Sequence, residues 1–308
     1  MSKADHDLII VGGGPAGLTA GIYAARARMD VLLVEKTAPG GQILVSDHVE
    51  NYPGFPDGIS GAELAFLIQR QAEKFGLKTD SGEIVYADFS GPVKKLVMEG
   101  RTLTAKAVII ATGASPRKLG VPGEDKHYGR GVSFCATCDA PFFRGKVVAA
   151  VGGGDTAIQE SLFLAKFAEK VYVIHRRDAL RAAKVIQERA FAEPKIEFVW
   201  DSVVTEVKGE SEVEALSIKN VRTGATSDLA VSGCFVWVGI TPNTQFLSGV
   251  VDLDKGGFVI ADQRMETSVA GIFAVGDCRN TPLRQVATAV GDAAIAAVSA
   301  EHYIESLT

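Results

Sequence analysis

Two cysteines, Cys135 and Cys138, stand two residues apart with a carboxylate, Asp139, directly behind the second. A dithiol at this spacing closes a small ring when oxidised and holds a lowered-pKa thiolate when reduced, which is the equipment for thiol–disulfide exchange. The same spacing could supply two of the four ligands of a tetrahedral zinc site. The remaining cysteines, Cys234 and Cys278, lie 44 residues apart and lack the pairing that a second half-site needs. They read as buried small hydrophobes. Asp139 is placed either to move protons for the thiols or to cap the start of a helix.

A dithiol that turns over needs an electron source, and the chain carries two nucleotide patterns. Residues 8–11 are an aliphatic run ending in Gly12, Gly14 and Gly17, followed by a helix-like stretch at 18–27, a second aliphatic run at 31–34, and Glu35. That is strand, glycine turn, helix, strand and acid. The glycines give a tight turn, room for a pyrophosphate and close helix packing, while Glu35, 23 residues after Gly12, is placed for a ribose 2′-hydroxyl. The pattern restarts with a strand at 147–151, the turn Gly152, Gly153, Gly154, Asp155, Thr156, a helix at 158–167 and a strand at 171–174. The position equivalent to Glu35 is now His175, followed by Arg176 and Arg177, with Arg181 one helical turn further. A neutral diol site has become cationic, which favours a 2′-phosphate and so NADPH over NADH.

Between these units, residues 39–56 are too rich in glycine and proline for helix or strand, and Gln42 and Asn51 offer amides to a ligand. Residues 61–75 read as an amphipathic helix, 84–89 and 93–97 as strands, and 107–113 as a buried strand ending in small residues. Residues 195–238 are β-rich, and the chain then breaks at Thr241, Pro242 and Asn243. A last buried strand, 271–277, stops at Gly276 and Asp277, and Arg284 and Gln285 open a small-residue helix at 287–300.

The 308 residues suit about two domains, with 47% hydrophobic residues to fill two cores. A net charge of -5 leaves no global basic surface, so neither nucleic acid nor an anionic membrane is expected as a partner. No secretory apolar region opens the sequence, and Asp292 interrupts the alanine-rich end before it reaches 18 apolar residues. The expectation is a cytoplasmic protein, where such a cysteine pair is catalytic rather than a structural bridge.

In order along nearly the whole chain, the two glycine turns, Gly40-Gly41-Gln42, Glu50-Asn51-Tyr52-Pro53-Gly54, Ala111-Thr112-Gly113, Cys135-Ala136-Thr137-Cys138-Asp139, His175-Arg176-Arg177-Asp178, Gly276-Asp277 and Arg284-Gln285 match one pattern. The sequence resembles the low-molecular-weight thioredoxin reductases of the bacterial and archaeal type. The resemblance implies an α/β fold of two Rossmann-like dinucleotide-binding domains of the three-layer ββα type. The FAD domain would take residues 1–115 and 242–308, and the inserted NADPH domain, carrying the dithiol, residues 116–241. The FAD set would comprise Gly12, Gly14, Pro15, Ala16, Gly17, Glu35 and Lys36, then Gly41, Gln42, Asn51 and Val85, then Ala111, Thr112 and Gly113, and finally Gly276, Asp277, Arg284, Gln285 and Val286. The NADPH set would be Gly152, Gly154, Asp155, Thr156, His175, Arg176, Arg177 and Arg181, with no metal.

The implied reaction passes hydride from NADPH to FAD, then electrons to the Cys135–Cys138 disulfide, then to thioredoxin. Cys138 would face the flavin, Cys135 would attack thioredoxin, and Asp139 would be the acid–base. A homodimer is implied, as is a rotation of the domains about crossings near Ser115 and Thr241. The departures are small: Gln159, Glu160 and Ser161 replace a glutamate pair and alanine, and Val286 replaces an alanine. A dithiol oxidase on the same fold would lack the basic pocket, and a non-catalytic flavoprotein would not need Cys138.

Overall fold

Aliphatic runs with no polar interruption form strands buried on both faces, and such strands pair in parallel under covering helices. His6–Val11 pairs in parallel with Val31–Glu35 on one side and with Arg101–Ile110 on the other. Lys78–Ser81 extends the sheet beyond Val31–Glu35. Leu8, Ile9 and Ile10 are fully buried in its centre, each contributing roughly 1.5–3 kcal/mol of burial. The computed structural model describes residues 4–46 and 49–307, apart from the side chains of Val45, Thr137 and Cys138.

The strand Arg101–Ile110 begins well before the apolar run at 107 because it changes neighbour midway. Its first half pairs antiparallel with Lys94–Met98, which pairs in turn with Ile84–Asp88. Its last three residues pair in parallel with Ile272–Ala274. The first half accordingly alternates exposed and buried, the pattern of a half-covered meander, and only the second half is continuously buried. Helices Pro15–Arg26, Gly61–Lys74 and Val286–Glu305 pack through a core that includes Leu18, Leu64 and Phe273.

The second sheet repeats the plan. Val147–Gly152 is central, with Lys170–Ile174 and Ile196–Val199 on one side, and Gly233–Trp237 and Val132–Ser133 on the other, all parallel. Helix Asp155–Ala165 covers it, and Ser202–Lys208, Ala215–Asn220 and Thr226–Ala230 form a separate antiparallel sheet. The architecture is the α/β arrangement of two Rossmann-like folds.

The chain divides into two compact units, Met1–Ser115 with Thr241–Thr308, and Pro116–Ile240. The two crossings run side by side as a ribbon of Ala114–Pro116 and Ile240–Pro242. Asn243 ties the second crossing down: its backbone N–H donates to Gly113 O at 3.0 Å, its Nδ2 to Thr112 O at 2.9 Å, and its Oδ1 accepts from Ser115 Oγ at 2.8 Å.

Four expectations need correction. The loop 39–56 contains a 3₁₀ turn, Gly41–Val45, closed by Ser46 N–H donating to Ile43 O, since short i→i+3 bonds need no long helical run. Arg176, Arg177 and Arg181 are not on a helix; the Arg181 and Ala182 N–H groups both go to Gly153 O, so the segment folds back over the glycine turn instead of making i→i+4 bonds. The last strand is only Ile272–Ala274, because Gly276 at φ 68° turns the chain out of the sheet. The final helix runs five residues past Ala300, to Glu305.

Candidate active site

The dithiol turn is pinned from three elements of the second unit. Ser133, at the end of its strand, accepts the Cys135 N–H on Oγ at 3.0 Å and donates to Cys135 O at 3.2 Å. Trp237 Nε1–H donates to Phe134 O at 3.2 Å, and Glu160 Oε2 accepts the Ala136 N–H at 3.2 Å. Ala136–Asp139 is one helical turn, with Asp139 N–H closing onto Cys135 O at 3.3 Å. Asp139 therefore ends this turn rather than starting it. It also precedes the 3₁₀ segment Ala140–Phe143 without capping it through its side chain. Cys135 is disulfide-bonded, whereas the Cys138 side chain lies outside the described residues.

Cys234 and Cys278 are fully buried free thiols, and burial pushes them up to about 12 and about 11 respectively. Cys278 Sγ–H donates to Val275 O at 3.3 Å. Burial of this kind suits packing rather than thiol chemistry. Among the described residues no cluster of His, Cys, Asp or Glu could hold a metal ion.

In the first unit Gly14 precedes helix Pro15–Arg26, and no side chain caps its N-terminus by a hydrogen bond. A Cβ on Gly41 would stand 2.9 Å from Gly14 Cα, and one on Gly12 would stand 2.3 Å from Ala111 O, so only glycine backbone fits this cradle. Glu35 Oε2 accepts the Gly13 N–H at 2.6 Å and its Oε1 accepts the Thr37 N–H at 2.8 Å, which aims the carboxylate at the turn. Lys36 points to the surface and pairs with Glu83, and Val85 is 57% exposed on its strand. Asn51 Nδ2 donates to Gln285 Oε1 at 2.9 Å, and Gln285 caps the final helix with Thr288 as the reciprocal partner, leaving Val286 as its first residue. Thr112 Oγ1 and Arg284 Nε are buried polar atoms without hydrogen-bond partners among the described residues. Arg284 lies 4.2 Å over the Phe258 ring. Burial lifts the Asp277 carboxyl, with Asp292 adding to the effect and Arg284 opposing it.

Arg279 and Asp292 were not singled out from the sequence as ligand-site residues. Arg279 Nε and Nη2 each donate to Asp292 at 2.7 Å, and Gly276 N–H donates to Asp292 Oδ2 at 3.1 Å. This holds the Gly276–Asp277 turn against the final helix. The one signal was Asp292 itself, the lone charge in the alanine-rich run 287–300.

In the second unit Gly154 precedes helix Asp155–Ala165, and a Cβ there would meet nothing within 4 Å. Asp155 Oδ1 accepts the Ala183 N–H at 2.6 Å, tying the arginine loop to the turn, while Thr156 stays exposed. His175 is buried beneath Gly153, and its Nε2 has no partner among the described residues. Burial lowers its pKa, and Arg181 lowers it further, so the ring is neutral at neutral pH. Arg176, Arg177 and Arg181 are exposed and make no ion pair among the described residues.

Residues 6–293 match a family model for pyridine nucleotide-disulphide oxidoreductases. The thioredoxin reductase of Peptoclostridium acidaminophilum is 47% identical over 98% of each chain. The chain belongs to the thioredoxin reductases of this family. A crystal structure of Lactococcus lactis thioredoxin reductase superposes with a TM-score of 0.96 at 43% identity, covering 98% of this chain and 100% of that one. The thioredoxin reductase of T. acidophilum gives 0.92 at 33% identity, covering 99% and 100%. Thioredoxin reductases of this family use FAD and NADPH. The orphaned polar atoms and side-chain-free glycine turns fit both groups. Among the described residues no helix is long and apolar enough to cross a membrane.

Proposed function

We propose that this chain reduces the disulfide of a thioredoxin with electrons from NADPH, its first unit holding FAD and its second holding NADPH and the dithiol. The observation that carries this reading is the Cys135 disulfide, set in a turn pinned by Ser133, Trp237 and Glu160 within a unit built on a second dinucleotide fold. When bound, NADPH supplies a hydride and FAD passes its electron pair to sulfur.

The chain's own residues bind and orient. Gly12, Gly14 and Gly17 admit the FAD pyrophosphate at a helix N-terminus, Glu35 takes a ribose hydroxyl, and Asp277, Asn51, Gln285 and Thr112 offer polar groups to the rest of the cofactor. Gly152 and Gly154 do the same for NADPH, and Arg176, Arg177 and Arg181 neutralise its 2′-phosphate.

Cys135 thiolate then attacks one sulfur of the thioredoxin disulfide, that S–S bond breaks, and one thioredoxin thiolate leaves. Cys138 thiolate attacks the Cys135 sulfur of the mixed disulfide, the internal disulfide reforms, and the second thiolate leaves. Two electrons pass to thioredoxin and two protons follow them. Asp139 is the adjacent acid–base that takes a proton from an attacking thiol or returns one to a departing thiolate. We assign the working form as a cytoplasmic homodimer; exposed Tyr23 and Phe66, on neighbouring helices of the first unit, offer apolar surface to a second copy.

An anaerobic titration of the flavin-loaded protein with NADPH tests the reading. Bleaching of the flavin absorbance, followed by reduction of added thioredoxin disulfide, is the expected result. A flavin that NADPH leaves oxidised would overturn it.

A further inference from the structure

Ala136, next to Cys135, is fully buried, and a buried amide N–H must find an acceptor. Most buried backbone N–H groups find a backbone carbonyl. The acceptor is instead the carboxylate of Glu160, which reaches the turn from helix Asp155–Ala165 at 3.2 Å. A carboxylate one residue from a reactive cysteine does two things. It fixes the amino end of the turn, and it places negative charge on the amide next to the residue that must form a thiolate, which disfavours the thiolate. A dithiol whose thiolate is disfavoured is a stronger reductant, since stabilising the reduced form is what makes a disulfide oxidising.

We infer that Glu160 is a positioning residue for the dithiol, holding the N–H beside Cys135 and keeping that thiol less acidic, and the pair more reducing, than the turn alone would make it. The inference rests on the proposed role of Cys135 as the thiol that meets the external disulfide. Other charged and titratable groups border the turn. Asp139 lies on it. Tyr128 packs its ring 5.8 Å from Phe134. Arg130, Lys146 and Glu212 line, together with Asp139 and Ser133, a cavity of about 300 Å³. All of these are common to the enzyme and to a Glu160 variant, so the difference between the two reads what the Glu160 carboxylate does.

The variant is Glu160→Gln, which keeps the side-chain length and an acceptor oxygen for Ala136 while removing the charge. The FAD-loaded enzyme is reduced, and the rate of Cys135 alkylation is followed against pH by mass spectrometry. In parallel the enzyme is equilibrated with reduced and oxidised dithiothreitol, where two electrons and two protons exchange between the two dithiols. The alkylation midpoint of the variant is expected to fall by about half to one pH unit, and its dithiol-to-disulfide ratio in a fixed buffer to rise about three- to tenfold. Glu160→Asp, which keeps the charge, is expected to return the wild-type midpoint. An unchanged midpoint and ratio in Glu160→Gln would overturn the inference. If Cys135 of the reduced wild-type enzyme fails to alkylate at all, the functional reading falls instead.

Discussion

Glu35 and His175 occupy the same place in the two dinucleotide folds, each lying against the middle glycine of its turn. A Cβ on Gly13 would stand 3.1 Å from the Glu35 carboxylate, and one on Gly153 would stand 2.4 Å from the His175 ring. The loop that follows each residue also returns to that glycine: Gly40 N–H donates to Gly13 O at 2.8 Å, and Arg181 N–H to Gly153 O at 2.7 Å. The duplicated frame thus carries a carboxylate in one copy and a neutral ring beside three arginines in the other.

From this relationship, His175→Glu should restore the diol preference of the first copy and lose discrimination in favour of NADPH. Arg176→Ala and Arg177→Ala should each raise KM for NADPH about 10- to 100-fold, the loss of a charge-assisted contact, with little effect on NADH. Steady-state kinetics with both nucleotides checks this. Equal losses with NADH would contradict a 2′-phosphate site.

Asp292 and Arg279 form a pair whose side chains are only 9% and 12% exposed. Removing one partner leaves a buried charge uncompensated, so Asp292→Asn should destabilise the protein by about 3–5 kcal/mol and weaken FAD binding, because the Gly276–Asp277 turn loses its anchor. Replacing both residues with apolar ones should recover much of the stability but not the FAD affinity. Thermal denaturation and flavin titration of the single and double variants measure the two effects separately.

Burial of Asp277 raises its folded pKa above 3.8, an effect Arg284 opposes and Asp292 reinforces. Between the unfolded and folded values the native state holds a proton that the unfolded chain has lost, so stability falls as pH rises through that window, and the cost is full above it. In the FAD-free protein, Asp277→Asn should therefore raise Tm at pH 7 by a few degrees, with the gain closing as pH approaches about 4, while FAD affinity drops. Calorimetry across pH would reveal the trend, and a gain independent of pH would contradict it.

Cys234 and Cys278, buried and pushed up to about 12 and about 11, should not react with a thiol reagent at pH 8 in the folded, reduced enzyme. Two thiols should titrate quickly and two more only after denaturation.

The parallel strands, the two glycine turns and the dithiol are legible in the sequence because each rests on a local pattern: a continuous aliphatic run, a fixed glycine spacing, or a cysteine pair. What supports the dithiol turn is not legible, since Ser133, Glu160 and Trp237 come from three separate elements and only the folded sheet brings them together. The path of the arginine loop is not legible for a related reason: its Arg181 and Ala182 N–H groups are taken by Gly153 O, far away in the chain, which no local propensity records. Asp292 was visible as an interruption of an apolar run, but its partner Arg279 lies outside that helix.

The central claim is directional: Cys135 delivers electrons outward, and Cys138 closes the internal disulfide behind it. The most direct test reduces Cys135→Ser and Cys138→Ser variants separately and mixes each with a thioredoxin disulfide, reading adducts by non-reducing electrophoresis and mass spectrometry. Cys138→Ser should accumulate a mixed disulfide through Cys135, and Cys135→Ser should not. A stable adduct formed through Cys138 in the Cys135→Ser variant, with none in Cys138→Ser, would contradict the account.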